Sequence, residues 1–454
     1  MRKYVASLLL LFSLLTVYMP LPAVTADQSG TTANVEVLMP GGLLERTNTV
    51  AYTANGRYGV IASAQARPGD TDPNSGQYAY AFDASTGAIT DQYWLGPTPS
   101  RTVLHKLTSQ VAIVHQSKEP ETFGVGCISL IAIDGAGQFN QSPHLNSLLP
   151  EPIQIFLPAC GNPDQYAPEV LDEIWMHPQT PVAIVSNKAA LFAVSLIDGT
   201  ILNRIEMIPP DLFEDGWRIS DFDVNVQTGR IAVLKRSNDG RFSLSFVRYT
   251  HPGSFTFLGE TLRVVDIVGD QSNVALNEDG TEAFVAASGS GSLYRFTLQS
   301  IRISTFRLPF MQAESSEEAE VTPLIVSSLA NSTRLAIQKP GHIQKPGHIQ
   351  KPGHITLIND TKGTINFVAE QTFSSPLTNL SFDRSGTLGF VGTLNGEVFQ
   401  FSSVDGQFTQ MPMGLQDAIS LTYDDTHQRL SIGTNLAQTP TGTAVSAVRL
   451  VDLQ

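Results

Sequence analysis

A recurring pattern of strands and turns constrains the fold of this chain more than any other feature. Residues 274–298, VALNEDGTEAFVAASGSGSLYRFTL, contain a short apolar strand, an Asn-Glu-Asp-Gly turn, a second apolar strand, a Gly/Ser turn and an alternating strand. Seven other segments follow the same plan. One turn residue marks each copy: Asn55, Ser109, Gln179, Thr228, Asp279, Asn331, Arg384 and Thr426. Six of the seven spacings between them lie between 42 and 54 residues, and β repeats of this length predict propeller blades.

Eight copies predict an all-β fold with a single eight-bladed β-propeller, or seven blades if two short copies share one. A blade buries its apolar faces only against its neighbours, and a closed ring leaves no long unpaired sheet edge. The last copy shows three strands, whereas residues 34–38, NVEVL, form a lone strand before the first copy. We therefore expect this N-terminal strand to join the last blade and close the ring.

The first 26 residues have the parts of a secretory signal peptide. Arg2 and Lys3 precede an apolar run over residues 4–19, and Val24-Thr25-Ala26 offers small residues for cleavage. The alternative is a membrane anchor, but the run is shorter than the ~20 residues that span a bilayer. We expect residues 1–26 to be removed, residues 27–454 to form the propeller without a further span, and the protein to be secreted, periplasmic or on the cell surface.

The charge balance excludes one class of partner. The chain has 28 Lys and Arg residues against 42 Asp and Glu residues, a formal net charge of -14. Nucleic-acid binding proteins need a basic surface, so we expect no nucleic-acid partner.

The copies NEDGTEAFVAASGSGSLYRF and FDRSGTLGFVGTLNGEVFQF resemble the repeats of the YVTN and WD40-like family of bacterial secreted propellers. The similarity extends over nearly all of residues 27–454, although the Trp-Asp dipeptide of eukaryotic WD40 blades is absent. The resemblance implies a binding or scaffold protein outside the cytoplasm, with a protein or glycan partner. The alternative is a hydrolase of lactonase or sugar-acid type, with its site in the central channel.

Residues for such a hydrolase are His105, His115, His177 and Glu173, near the first strands of the second and third copies. Ends of inner strands can face the channel of a propeller, but a scattered histidine is more often structural, so enzyme activity is the less favoured hypothesis. The chain contains neither a C-x-x-C-H motif nor a D-x-D-x-D-G calcium loop, and we expect no cofactor.

Cys127 and Cys160 are the only two cysteines in the sequence. Cys127 precedes a strand of the second copy, and Cys160 lies in a Pro-rich insertion, about residues 140–167, that is expected to be a long loop. Because an oxidising compartment favours disulfides, we predict a bond that pins the insertion to its blade. The alternative is two separate buried thiols, since bonding depends on geometry.

Residues 338–355 repeat the hexapeptide QKPGHI three times. Its histidines, His342, His348 and His354, recur every six residues, and imidazoles can bind Zn²⁺ or Cu²⁺. The favoured interpretation is a tandem duplication within an exposed hairpin loop, because one hexapeptide would already complete the strand-turn-strand pattern. We therefore expect no metal site there.

Overall fold

The computed structural model describes residues 34–453 apart from residues 46, 64, 67–73, 120, 140–151, 161, 226, 251–252, 262–263, 269–271, 278, 288–289, 299–301, 309–324, 329–333, 340–351, 362–363, 384 and 440–441. Eight antiparallel sheets of four strands follow one another along the chain, and the fourth sheet carries an additional strand. The eight-bladed all-β propeller predicted from the repeats is confirmed.

The elements that do not belong to the four-stranded pattern lie in or between the first four blades. Their strands have these bounds: β2 Ala51–Tyr52, β3 Tyr58–Ala62, β4 Tyr78–Asp83 and β5 Ile89–Trp94 in blade 1; β6 Thr102–His105, β7 Gln110–Gln116, β8 Gly126–Ala132 and β9 Ile153–Phe156 in blade 2; β12 Val170–Met176, β13 Val182–Asn187, β14 Ala190–Ser195 and β15 Ile201–Glu206 in blade 3; β16 Arg218–Asn225, β17 Arg230–Arg236, β18 Arg241–Thr250, β19 Ser254–Glu260 and β20 Val264–Ile267 in blade 4. A hairpin of β10 Pro158–Ala159 and β11 Asn162–Tyr166 links blades 2 and 3, and helix α1, Pro210–Glu214, links blades 3 and 4.

Each of the last four blades has four strands in the described part of the chain. Their strands have these bounds: β21 Val274–Leu276, β22 Glu282–Ala287, β23 Ser292–Thr297 and β24 Arg302–Arg307 in blade 5; β25 Ile325–Ser328, β26 Arg334–Lys339, β27 His354–Thr361 and β28 Thr364–Thr372 in blade 6; β29 Leu377–Phe382, β30 Leu388–Thr393, β31 Val398–Ser402 and β32 Phe408–Met411 in blade 7; β33 Ser420–Asp424, β34 Arg429–Gln438, β35 Ala444–Asp452 and β1 Asn34–Leu38 in blade 8.

The strand order within each blade defines the channel and two faces. The first strand of a blade contacts the first strand of the next, as β12 contacts β16 and β29 contacts β33, so the first strands line the central channel. Because neighbouring strands are antiparallel, the connections between second and third strands lie at the same end as those between blades. We call this end the top face, and the end with the remaining turns the bottom face.

The N-terminal strand closes the ring as predicted. Strand β1 pairs with β35 over five residues, from Asn34 opposite Val451 to Leu38 opposite Ala447. Val37 is fully buried between blades 8 and 1, in a cluster that includes Phe82 and Val448. The first and last segments of the propeller therefore share one sheet.

The core lies between the blades, which explains the almost continuous apolar strands. Successive side chains of a strand point to opposite faces of its sheet. In β13, Ala183 and Val185 pack toward blade 2, whereas Ile184 packs against residues of blade 4. Both faces of the strand are buried, so its sequence, VAIVSN, does not alternate between apolar and polar residues.

Two segments expected to be loops contain strands. Within residues 140–167, Ile153–Phe156 is the outer strand of blade 2 and residues 158–166 contain the β10–β11 hairpin. The hexapeptide segment contributes its ends to blade 6, where Gln338 pairs with Ile355 and Lys339 with His354. His342 and His348 lie outside the described residues.

Candidate functional site

Four charged side chains meet in the channel wall where blades 2, 3 and 4 adjoin. Arg101 directly precedes β6, Glu173 lies in β12, and Asp221 and Asp223 lie two residues apart in β16. The guanidinium of Arg101 forms an ion pair with the Glu173 carboxylate. We call these four residues the channel cluster; it lies toward the top end of the inner strands.

Bulges place these side chains. The pairing of β12 with β13 shifts between Val170 and Ile174, and that of β16 with β17 shifts between Ile219 and Asp221. A bulge kinks a strand and redirects the side chains beside it. Glu173 and Asp221 lie at these irregularities, on neighbouring inner strands.

The two aspartates of the cluster hold protons more tightly than usual. Burial raises the pKa of Asp221 well above its ordinary value, and the charge of Glu173 raises it further. Burial also raises the pKa of Asp223, although the Leu276 N–H and the charge of Arg101 offset part of this effect. The cluster therefore combines one ion pair, between Arg101 and Glu173, with two aspartates that bind protons more readily than usual.

One ion pair, between Arg101 and Glu173, lies within the channel cluster. Among the described residues, no three His, Cys, Asp or Glu side chains come together as a metal-binding group. Of the four residues predicted for a hydrolase, only Glu173 belongs to the cluster.

The predicted histidines hold turns and strands in place. His105 Nδ1 lies 2.8 Å from Thr108 Oγ1, and His105 Nε2 lies 3.0 Å from the carbonyl oxygen of His177. His177 Nδ1 accepts hydrogen bonds from the backbone N–H groups of Gln179 and Thr180. Both histidines lie at the bottom ends of their inner strands, away from the channel cluster.

His115 is buried within blade 2. Its Nδ1 lies 2.7 Å from the Gln116 carbonyl oxygen, and its Nε2 lies 2.7 Å from Ser129 Oγ. Burial lowers its pKa to about 4, so the imidazole is neutral over the physiological range. The ring belongs to the core of the blade.

The two cysteines are free thiols in the structure, so the disulfide predicted from the sequence is not formed in it. Cys127 Sγ lies 3.6 Å from His115 Nε2 in the core of blade 2, whereas Cys160 Sγ lies 3.7 Å from the Ile208 carbonyl oxygen. Cys160 is at the tip of the β10–β11 hairpin and packs against the core between blades 3 and 4. The two sulfur atoms therefore contact different blades.

Thiol titration without reductant should find two thiols per chain after unfolding, and at most one before it. Cys127 is fully buried, and burial raises its pKa to about 12, so it should not react in the native state. Cys160 is partly exposed and should react slowly, because burial raises its pKa as well. Cys160→Ser should abolish the native-state reaction. An unfolded chain without titratable thiols would instead carry the predicted disulfide.

Exposed aromatic side chains lie on the top face at blade 2 and the segments on either side of it. Trp94 ends β5, and Phe123 and Lys118 belong to the loop between β7 and β8; Tyr166 ends β11. The Lys118 ammonium lies 4.2 Å from the centre of the Trp94 ring and donates a hydrogen bond to the Trp94 carbonyl oxygen. The Phe123 side chain is 68% exposed. We call these four residues the blade-2 patch.

Backbone hydrogen bonds hold the parts of the patch together. The Ser117 N–H donates to the Val125 carbonyl oxygen, which closes the loop that carries Phe123. The Gly126 N–H donates to the Pro168 carbonyl oxygen, which ties this loop to the end of the hairpin that carries Tyr166. Tyr166 packs on Phe156 with ring centres 4.9 Å apart. The patch is therefore built on fixed elements.

The outer edges of six blades are poor sites for pairing with another chain. The outer strands of blades 1, 3, 4 and 6 each contain one extra residue, at Thr90, Leu202, Leu258 and Val368. Such bulges interrupt the regular edge that an added strand requires. The outer strands of blades 2 and 7 have only four residues each. Six of the eight outer edges therefore offer little regular backbone to an added strand.

Comparison with solved structures defines the fold. The C-terminal WD40 domain of Sif2 aligns with a TM-score of 0.53 at 9% identity, over 92% of this chain and 99% of that chain. The fold is that of a WD40-like β-propeller. BamB from Moraxella catarrhalis aligns with a TM-score of 0.51 at 15% identity, over 92% of this chain and 100% of that chain. The Dos1 propeller aligns with a TM-score of 0.57 at 10% identity, over 92% of this chain and 96% of that chain.

The likeness concerns the fold alone at these identities. No protein-family model matches the sequence, and no curated protein matches it. Helix α1 has five residues, and no helix in the described part of the chain has the length and apolar character of a membrane span.

The predictions from sequence did not include Arg101, Asp221, Asp223 or the blade-2 patch. One signal for the carboxylates was available, because residues 220–224 read SDFDV within the first strand of the fourth copy. Two aspartates that flank a buried phenylalanine in an inner strand point to the same side. The patch had no comparable signal, since a single aromatic residue in a loop is common.

Proposed function

We propose that this protein is an extracytoplasmic binding propeller whose top face docks a protein partner through the blade-2 patch. The observation that carries the proposal is the exposure of Phe123 and Tyr166 on elements fixed by backbone hydrogen bonds. Exposed aromatic side chains on a rigid surface are typical of the centres of protein interfaces.

The structure of the patch favours a protein partner over a glycan. A sugar ring would stack on an open indole face, but the Lys118 ammonium lies over the Trp94 ring, and the Trp94 Nε1–H donates to Gln77. Phe123 has no polar atom with which to bind a hydroxyl group. An apolar side chain of a partner protein would suit this surface better.

The location outside the cytoplasm is supported by the first 26 residues, which combine a basic start, a short apolar run and a Val-Thr-Ala end. The resemblance of the repeats to the YVTN family of secreted propellers supports the same location.

The hydrolase hypothesis is less well supported. His105 and His177 bind turn atoms at the bottom of the ring, and His115 is buried in blade 2. The channel cluster contains none of these three imidazoles and no cysteine. We therefore favour a binding role over hydrolase activity.

Phe123→Ser should reduce capture of the partner at least tenfold when the immobilised propeller is incubated with cell-envelope extract or culture medium. Removal of a central aromatic anchor typically costs about 2 kcal/mol or more of binding free energy, and every 1.4 kcal/mol is a factor of ten. The measurement is quantitative mass spectrometry of the retained proteins, with the wild-type propeller as reference.

The matched control is Leu107→Ser. Leu107 lies in the bottom turn of the same blade and is 69% exposed, against 68% for Phe123. Leu107→Ser should leave capture unchanged. The proposal would be contradicted if both variants lost capture equally, or if Phe123→Ser still retained the partner. It would also be contradicted if the propeller retained glycans without protein, or nothing at all.

A further inference from the structure

The outer strand of blade 5 presents a regular edge. Strand β24 pairs with β23 over all six of its residues without a register shift, from Arg302 opposite Thr297 to Arg307 opposite Ser292. In the described part of the chain, β24 pairs with no other strand. It therefore differs from the six outer strands that are bulged or have four residues. A straight, unpaired edge of this kind is a template for an added strand.

Strand β1 in blade 8 is also regular, but a turn of blade 1 covers its edge. The Met39 N–H donates to the Ser446 carbonyl oxygen at 2.9 Å, so the odd-numbered residues of β1 face β35. The carbonyl oxygen of Glu36 therefore faces the outer edge. Gly87, between β4 and β5, lies against this oxygen, and a Cβ atom at residue 87 would be 2.3 Å from it. An added strand would collide with this turn.

A backbone hydrogen bond shows which groups of β24 face outward. The N–H of Leu308, directly after β24, donates to the Gly291 carbonyl oxygen at 2.8 Å. The backbone groups of successive residues in an antiparallel strand point alternately to its two sides. The even-numbered residues of β24 therefore face β23, and the odd-numbered residues direct their N–H and C=O groups to the outer edge. We call these three residues the β24 edge: Ile303, Thr305 and Arg307.

The side chains of β24 hold the strand on one face and leave the other face accessible. Phe306 and Leu308 pack against the core between blades 5 and 6. On the opposite face, Ile303 is 40% exposed, and Thr305 and Arg307 are exposed as well. β-Branched residues such as isoleucine and threonine favour cross-strand contacts. The edge is thus fixed in place and open to the side chains of an added strand.

The charge of the β24 edge is positive. Arg307 is exposed and forms no ion pair within the described part of the chain. By contrast, Arg295 on β23 is paired with Glu282 at 3.8 Å. Arg302 begins β24, and residues 296–306 contain no Asp or Glu, although the whole chain has a formal net charge of -14. An acidic segment would complement this edge.

We propose that the β24 edge binds an extended acidic segment of a partner protein, which adds to blade 5 as a further antiparallel strand. Backbone hydrogen bonds to the three edge residues would provide the affinity, and carboxylates opposite the arginines at the two ends of β24 would set the register. The β24 edge and the blade-2 patch lie on different blades, so this binding does not depend on the proposed docking of a partner at the patch.

Two labelled hexapeptides test the choice of charge: Glu-Val-Thr-Thr-Val-Glu and Lys-Val-Thr-Thr-Val-Lys, each titrated with the propeller and followed by fluorescence anisotropy. The acidic peptide should bind at least about fivefold more tightly, because opposite charges across paired strands are stabilising and like charges are destabilising. Arg307→Glu should abolish this preference, because one end of β24 then attracts each peptide. Phe123→Ser should leave the binding of both peptides unchanged.

Amide hydrogen exchange shows where the peptide lies. Saturation with the acidic peptide should raise the protection of the Ile303, Thr305 and Arg307 amides severalfold. The Ser304 and Phe306 amides already face β23, and their protection should not change. Protection of the even-numbered amides alone would overturn the proposal.

Thr305→Pro removes an N–H from the edge without removing a hydrogen bond to β23, and proline is tolerated in edge strands. It should weaken binding of the acidic peptide at least about fivefold. Thr305→Val, which keeps the N–H and the shape of the side chain, is the matched control and should bind as the wild type does. The result for Arg307→Glu does not depend on the folding of the proline variant.

The proposal would be overturned if the wild type bound the two peptides equally or bound neither. It would also be overturned if Thr305→Pro bound the acidic peptide as the wild type does. Loss of peptide binding in Phe123→Ser would place the peptide at the blade-2 patch instead.

Discussion

We expect Val37→Asp to lower the free energy of unfolding by about 4 kcal/mol or more, since this is the cost of an unpaired charge in a closed core. Val37 has no exposed surface, and it packs between blades 8 and 1 with Val448 and Phe82. The substitution should release β1 from β35, so that the ring of blades is no longer closed between blades 8 and 1. Chemical denaturation measures the stability, and hydrogen exchange along β35 shows whether the strand edge is released.

Glu36→Gln is the matched control for this substitution. Glu36 lies one residue away on the exposed side of β1 and pairs with Arg449 at 3.4 Å. An exposed ion pair contributes at most about 1 kcal/mol, so the control should remain close to wild type. If Val37→Asp were as stable as Glu36→Gln, the docking of β1 would not be what holds blades 8 and 1 together.

The position of β1 shows how far sequence patterns predict the fold. Residues 34–38 were expected to be a lone strand that completes the last blade, and the structure has this strand with these bounds. Strand β22, Glu282–Ala287, is the second apolar strand expected within residues 274–298. A repeat with fixed turns predicts both, because every copy carries the same local information about strand length and burial.

The channel cluster could not be predicted in the same way. Arg101 and Glu173 are 72 residues apart in sequence, and Asp221 is 48 residues beyond Glu173. Their meeting depends on the packing of three consecutive blades and on two bulges, and neither strand sequence specifies the bulge. The outer strand of blade 2, IQIF, was also not predicted. It lies between prolines in an insertion that was expected to be a loop.

The channel cluster and the blade-2 patch occupy the same end of the molecule. Arg101 belongs to the connection that follows Trp94, and the β10–β11 hairpin leads directly into the strand of Glu173. A partner that binds the patch would therefore lie on segments that continue into the channel wall. This continuity links the proposed docking surface to Arg101 and Glu173 of the channel cluster through covalent connections of a few residues.

Gly59→Ala should destabilise the protein by about 2–3 kcal/mol, the usual cost of overpacking a closed core. Gly59 on β3 lies directly opposite Phe82 on β4, and a Cβ atom at residue 59 would be 2.2 Å from Phe82 Cζ. The Phe82 ring is fully buried and packs edge-on against Tyr52. The ring cannot move without disturbing the joint between blades 8 and 1.

Blade 7 provides an independent test of the same pairing. Gly389 lies opposite Phe401, and its Cβ would be 2.2 Å from Phe401 Cζ, so Gly389→Ala should have a similar effect. Gly259→Ala is the matched strand control, because nothing lies within 4 Å of a Cβ there, and it should be neutral or slightly stabilising. Phe82→Leu should reduce the penalty of Gly59→Ala in a double-mutant cycle measured by denaturation. If the effects of the two substitutions were additive, contact with the Phe82 ring would not be the reason why residue 59 must be glycine.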